Sequence, residues 1–219
     1  MFDAGIPCSS SYDFTSFEWP ERDLVCGGAD LEPGTILGAY RQGLFPMPIE
    51  DELMWWSPIE RGILRPGDLK ISKSLQRSLR DFSFTVDTEF ENVIDRCADP
   101  RRPGSWISGE IRAAYVTLHE AGWAHSIETR DADGHLVGGL YGLALGSFFA
   151  GESMFHAKRD ASKAALVHLV DIMSGAENWL IDTQWSTPHL ASLGVTSVSR
   201  MTYLTLISEI IRVSSGFSP

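Results

Sequence analysis

The sequence predicts an α/β fold, α+β in its mixing of elements, with a small N-terminal unit over 1–60 and a larger domain over 61–219. Three observations carry this prediction. From residue 61 onward, segments of helical spacing alternate with short runs of strand-like alternation. Residues 1–60 are instead rich in proline, glycine and acids, and they hold one clear helical stretch. The chain's 219 residues, 43% apolar and 21% charged, suit one large domain or a medium and a small one.

The N-terminal helix is read in 34-GTILGAYRQG-43, where Ile36, Leu37 and Tyr40 keep helical spacing and Gly43 can end it. The following stretch, 44–62, is expected to be irregular because Pro46, Pro48 and Pro58 interrupt it. In 70-KISKSLQRSLRDF-82, Ile71, Leu75 and Leu79 stand four apart and predict a helix with one apolar stripe. Lys73, Arg77 and Arg80 then share another face of it. FSFTVD (82–87) alternates like a strand, and Ser108 is placed to cap a helix over SGEIRAAYVTLHEAG. HSIETR, the DADG turn and HLVGGLYGLAL read as a β-hairpin over 125–145, followed by a short strand, SFFAGE. Asp160 is read as the cap of ASKAALVHLVDIMSG, WLIDTQ (179–184) as a buried strand, and SRMTYLTLISEIIRV as the last helix.

Charge is unevenly spread. The formal net charge is −11, yet residues 61–80 hold Arg61, Arg65, Lys70, Lys73, Arg77 and Arg80 against Asp68 alone. A polyanion responds to such a local excess more than to the total, although a charge run of this kind is also what a solvated helix face looks like. No apolar run approaches the roughly 18 residues of a membrane span, so no membrane association is expected. Cys8, Cys26 and Cys97 are widely spaced and form no Cys-x-x-Cys, which argues against a disulfide framework and fits a reducing cytoplasm. The six histidines show no metal-ligand spacing, and no Gly-x-Gly-x-x-Gly, P-loop or Gly-x-Ser-x-Gly is present. Neither a metal nor a cofactor is expected.

Three features call for a chemical explanation. Glu152 stands among Phe148, Phe149, Met154 and Phe155, just after Gly151, where a ligand can come close. A carboxylate in such company needs a partner: either a bound ammonium group or a structural ion pair, for which Lys163 and Arg159 are the candidates. Asp182 and Gln184 alternate on WLIDTQ, so a regular strand projects both from one face. Such a pair at a strand's C-terminal end suits chemistry, and it equally suits plain solvation. Trp55, Trp56 and Trp106 fall in expected loops, where an indole either stacks on a base or pins the loop to the core.

The segments GGADL, GLFPM, WWSP, LKISKSLQR, GSWIS, YVTLHEAGWAHSIE, LVGGLYGLALGSFFAGESMF, ASKAAL and LIDTQW, with HLASLG after it, follow one another in order. Together, from about residue 24 to about 205, they resemble the leucyl/phenylalanyl-tRNA–protein transferase family. The resemblance implies a Gcn5-related acetyltransferase-like catalytic domain behind a small N-terminal domain. It also implies transfer of Leu or Phe, and less readily Met, from aminoacyl-tRNA to the N-terminal Arg or Lys of a protein. That step marks the protein for degradation by the bacterial N-end rule, and a cytoplasmic monomer is expected to perform it. By the same resemblance Glu152 faces the donor's α-amino group. Leu140, Phe149, Gly151, Ser153, Leu169 and Ile181 line its side-chain pocket, and Trp106 stacks on the terminal adenine. Met47 stands where relatives can carry a second stacking tryptophan. Lys73, Arg77 and Arg80 hold acceptor-stem phosphates, and Asp182 and Gln184 are catalytic. Two rivals stay in view: an acetyl-CoA N-acetyltransferase, disfavoured because 155-FHAKRDAS-162 has no glycine to cradle a pyrophosphate, and a non-catalytic tRNA-binding module.

Overall fold

Two β-sheets organise the chain, which a computed structural model describes over residues 10–15, 18–102, 104 and 106–212. The chain begins with β1 (Leu24–Gly27), α1 (Pro33–Arg41), β2 (Phe45–Pro46), β3 (Met54–Trp56) and β4 (Glu60–Leu64). There follow α2 (Lys73–Ser78) with a 3-10 turn over Leu79–Asp81, β5 (Ser83–Val86), α3 (Phe90–Cys97), α4 (Gly109–Glu120), β6 (Ala124–Arg130) and β7 (Leu136–Leu145). The chain closes with β8 (Phe148–His156), α5 (Ala161–Met173), β9 (Leu180–Gln184), α6 (Pro188–Ala191), β10 (Thr196–Ser199) and α7 (Arg200–Ile210).

The small sheet has the order β1-β3-β2, and the large one β10-β4-β9-β8-β7-β6-β5. All paired neighbours are antiparallel except β8 and β9, which α5 joins as a crossover. This is the mixed α/β sheet that the resemblance implies. Alternate residues of its strands serve two cores. Tyr141, Phe148 and Leu180 belong to one, with Ile36, Leu37 and Tyr40 of α1. Leu140, Phe149 and Ile181 belong to the other, with Leu166, Leu169 and Met173 of α5. The first core also contains Phe45 and Trp55, so the small sheet packs into the body of the protein.

Several expectations need correction. The stretch 44–62 contains β2, β3 and the start of β4 rather than irregular chain. Trp55 and Trp56 lie on β3 and anchor it, their indole N–H groups donating to Gly28 O and Met47 O, each at 2.8 Å. The helix expected over 70–82 begins only at Lys73, after the Ser72 cap, and its last turn tightens to 3-10. Ile71 therefore falls outside it and is exposed, which leaves Leu75 as its one buried apolar residue. Asp160 precedes α5 in the left-handed region, φ 65°, and makes no capping bond. Its carboxylate accepts instead from Ser78 Oγ at 2.9 Å. Helix α3 was not anticipated, although Phe90, Val93, Ile94 and Cys97 have the helical spacing and are all buried. Ser108 does cap α4, accepting from Ile111 N at 3.2 Å. Cys26 and Cys97 are free thiols, while Cys8, and Val213 at the end of the expected last helix, lie outside the described residues. Among the described residues no helix is long and apolar enough to cross a membrane.

Candidate active site

The candidate site forms where the one parallel pair of strands comes apart. β8 and β9 pair as far as Ala150↔Asp182, and beyond that point each strand carries a bulge on its far side. On β8, Tyr141 opposes Ser153 and Gly142 opposes Gly151, so Glu152 is the extra residue. On β9, Ile63 opposes Asp182 and Gly62 opposes Gln184, so Thr183 is extra. Both bulges need a glycine on the neighbouring strand. A Cβ on Gly142 would stand 2.1 Å from Ala150 O, and one on Gly62 would stand 2.8 Å from Ser186 N. Glu152 is therefore not at the end of a short strand, as expected, but at a kink within a longer one. Bulges of this kind commonly re-aim a side chain beside a site.

Between the parting strands opens a cavity of about 200 Å³. Of the expected pocket residues, Leu140, Gly151, Glu152, Ser153, Leu169 and Ile181 line it, and so does Gln184. Phe149 does not; it is fully buried in the core cluster behind that wall, with Leu140, Leu169 and Ile181. Gly151 is not demanded by packing, since a Cβ there would meet Asp182 O at an ordinary 3.6 Å. Sequence reading missed Leu166, one turn before Leu169 on α5, and His189 and Leu190 from the segment after β9. The i, i+3 spacing of Leu166 and Leu169 was a visible signal. Thr183 also lines the cavity, and its buried hydroxyl has no hydrogen-bond partner among the described residues.

Glu152 is buried, and neither Lys163 nor Arg159 reaches it; both of those side chains pair with Asp160. No cation forms an ion pair with Glu152 among the described residues. Its Oε1 accepts from Tyr40 Oη at 2.6 Å and from Gln184 Nε2 at 3.3 Å. Tyr40 Oη is in turn 2.7 Å from Tyr115 Oη. The Tyr115 hydroxyl also acts on the Glu152 carboxyl, so the two tyrosines face it together. Burial pushes the Glu152 carboxyl up to about 8, and the nearby Asp182 charge adds to this against the pull of the Tyr40 hydroxyl.

Asp182 is held in the opposite way. Arg61 grips it with two bonds, Nε to Oδ1 at 2.8 Å and Nη2 to Oδ2 at 2.6 Å, and both side chains are fully buried. Tyr203 Oη donates to Oδ2 at 2.8 Å, and the backbone N–H of Gln184 donates to Oδ1 at 2.8 Å. Burial would lower the Arg61 pKa, but the Asp182 carboxylate outweighs it and the net direction is upward. Asp182 thus contacts the backbone of Gln184 and not its side-chain amide. The two side chains do not run parallel from one face, because Gln184 is left-handed, φ 57°. That conformation costs a non-glycine residue on the order of 1–3 kcal/mol. It turns the amide toward Glu152.

Trp106 lies elsewhere, half-buried, on the wall of a separate open pocket of about 550 Å³ with Pro48, Glu50, Arg102 and Gly104. Lys73, Arg77 and Arg80 are exposed on α2 and the turn after it, and no carboxylate pairs with any of them among the described residues. Arg159 reaches the same helix, donating to Ser74 Oγ at 3.1 Å. In the DADG turn, Asp131, Asp133 and His135 bring ligand-type atoms within 4.8 Å of one another, and Lys158 occupies Asp131 at 2.7 Å.

A family model described as leucyl/phenylalanyl-tRNA protein transferase matches residues 63–208, and one described as its N-terminal domain matches residues 29–59. The leucyl/phenylalanyl-tRNA–protein transferase of Aromatoleum aromaticum is 51% identical over 196 residues, which cover 86% of this chain and 82% of its own. That of Syntrophobacter fumaroxidans is 50% identical, covering 86% and 83%. That of Shewanella halifaxensis is 43% identical over 211 residues, covering 91% and 89%. Among solved structures, L-PGS from Bacillus licheniformis covers 68% of this chain and 51% of its own at a TM-score of 0.41 and 14% identity, a likeness too slight to bear on activity. A family model spanning well over half the chain, and relatives at such identity, place it: the protein belongs to the leucyl/phenylalanyl-tRNA–protein transferases, enzymes that move an aminoacyl group from tRNA to protein.

Proposed function

We propose that the cavity between β8 and β9 receives the side chain of the donor's esterified amino acid, with Glu152 facing its α-ammonium group. One observation supports this most strongly: a buried carboxylate with no ion-paired cation among the described residues opens on an apolar cavity of about 200 Å³. Pockets for drug-sized ligands run to roughly 300–1,000 Å³, so this one suits a single side chain. Leucine and phenylalanine fill it with apolar contact, and methionine fits by its flexibility. Charged side chains are rejected by desolvation and β-branched ones by shape. Leu140, Ser153, Leu169 and Ile181 form the wall, Gly151 leaves the approach open, and Phe149 backs the wall from behind.

In the reaction, the acceptor's neutral α-amine attacks the ester carbonyl. The new C–N bond replaces the C–O bond to the ribose, and the amine's proton ends on the released ribose oxygen. The ester is already activated, so the protein's contribution is placement of the two substrates. Gln184 is assigned to orient the attacking amine, and Asp182 is the charged group behind it. The acceptor is a protein beginning with Arg or Lys. Trp106 takes the terminal adenine of the tRNA by stacking, and Met47, where relatives can carry a second tryptophan, supplies at most a softer contact. Lys73, Arg77 and Arg80 take acceptor-stem phosphates. We assign residues 1–60 as the N-terminal domain and 61–219 as the catalytic domain of a cytoplasmic monomer.

The test is transfer of radiolabelled leucine from Leu-tRNA to a peptide beginning with arginine, with the donor concentration varied. Glu152→Ala is expected to raise the donor KM at least about tenfold, as loss of one charged hydrogen-bonding partner does. An unchanged donor KM would remove Glu152 from the donor site.

A further inference from the structure

We infer that Arg61, braced by Tyr203, is a positioning residue for transfer: it fixes Asp182 so that Asp182 holds Gln184 in the left-handed turn aiming the amide at the reacting amine. The inference rests on Gln184 facing the substrates. An ionised carboxylate offers about four lone-pair sites, and Asp182 has four donors on them. Oδ1 accepts from Arg61 Nε and Gln184 N, and Oδ2 accepts from Arg61 Nη2 and Tyr203 Oη. No site is left on which Asp182 could take a proton from an incoming amine. Its one link to Gln184 is through the backbone N–H, at 2.8 Å, and that bond holds the residue at φ 57°.

The clamp is anchored on three sides. Arg61 Nη1 donates to Gly43 O and Nη2 to Tyr203 Oη, each at 3.2 Å. Its guanidinium also lies 4.3 Å from the centre of the Tyr203 ring and 4.9 Å from that of Phe45. Next along the chain, Gly62 has no side chain to obstruct the backbone of Trp185 and Ser186 as it leaves the turn. A regular strand would project Gln184 on the same face as Asp182. The left-handed turn instead brings its amide to 3.3 Å from Glu152 Oε1, on the cavity.

The decisive measurement is a double-mutant cycle between Arg61→Lys and Gln184→Ala, read as single-turnover transfer rates at saturating Leu-tRNA. Lysine keeps the charge and loses the fork. Arg61→Lys is expected to slow transfer roughly tenfold or more in the wild-type background and less than about twofold beside Gln184→Ala, since coupled residues are not additive. A residue that only supports folding would slow both backgrounds equally, and that result overturns the proposal. Tyr203→Phe, which deletes one donor to Asp182 and preserves shape, is expected to show the same coupling at about a threefold loss. It keeps the question answerable if Arg61→Lys does not fold, and additivity in its cycle would also overturn the proposal. If Gln184→Ala itself transfers at the wild-type rate, the assignment of Gln184 to the amine fails first and the clamp has nothing to aim.

Discussion

Two buried carboxylates stand in one site under opposite conditions. Asp182, at 0% exposure, is saturated by a bidentate arginine, a tyrosine hydroxyl and a backbone N–H. Glu152, at 7%, has hydroxyl and amide partners and, among the described residues, no paired cation. Both owe their position to a bulge beside the parting of β8 and β9, so geometry alone does not distinguish them. Charge compensation does. A carboxylate whose countercharge is built into the fold is a fixture, and one whose countercharge is missing has capacity for a cationic ligand.

The largest expected effect comes from removing the built-in countercharge. Arg61→Met would leave Asp182 charged and buried without its partner, which costs about 3–5 kcal/mol. Urea denaturation should show that loss at neutral pH, and Arg61→Met combined with Asp182→Leu should recover most of it. A single variant as stable as wild type would mean that Asp182 does not need Arg61.

Glu152 should respond to pH instead. Its folded carboxyl titrates near 8, against an ordinary value of 4.5. Between those values the native state keeps a proton that the unfolded chain has released, so stability falls as pH rises. At about 1.4 kcal/mol per unit of difference, the loss between pH 5 and 8 amounts to a few kcal/mol. Glu152→Gln should flatten this slope and make the unliganded protein more stable than wild type at pH 8. An equal slope in both proteins would place the proton elsewhere.

How far the sequence reached follows from what kind of order each feature needs. Helix α1 and the β6–β7 hairpin were legible because a period of 3.6 or 2 is a local property. The same period misled at the site, since it presumes unbroken strands. It put Gln184 beside Asp182, where a bulge and a left-handed residue separate their side chains. Arg61 was seen as one of six cations in a charged stretch. It is the only one of them with 0% exposure among the described residues, and its partner lies 121 residues away, a pairing no local pattern announces. Tyr40 was read as part of an apolar face, although its hydroxyl is the short contact to Glu152. The role of Glu152 came from the family resemblance rather than from spacing, which left a salt bridge equally open. The acetyl-CoA alternative finds no support in the relatives from Aromatoleum aromaticum, Syntrophobacter fumaroxidans and Shewanella halifaxensis, each a leucyl/phenylalanyl-tRNA–protein transferase.

The contrast between satisfied and unsatisfied charge extends to the cations and yields the smallest effect. Arg61 is held inside the fold, whereas Arg77 is exposed, its Nε donating to Lys73 O at 3.2 Å and pairing with no carboxylate among the described residues. An exposed arginine without a carboxylate contributes little to folding, so Arg77→Ala should leave stability within about 0.5 kcal/mol of wild type. Its effect should be on tRNA, through the counterions that a phosphate releases when a cation replaces them. Binding of Leu-tRNA, measured from 50 to 200 mM salt, should weaken a few-fold at the lowest salt. The slope of log affinity against log salt should fall by about one. The same loss of affinity with an unchanged slope would show that Arg77 shapes α2 instead of meeting a phosphate, and the basic face would then be a solvated surface after all.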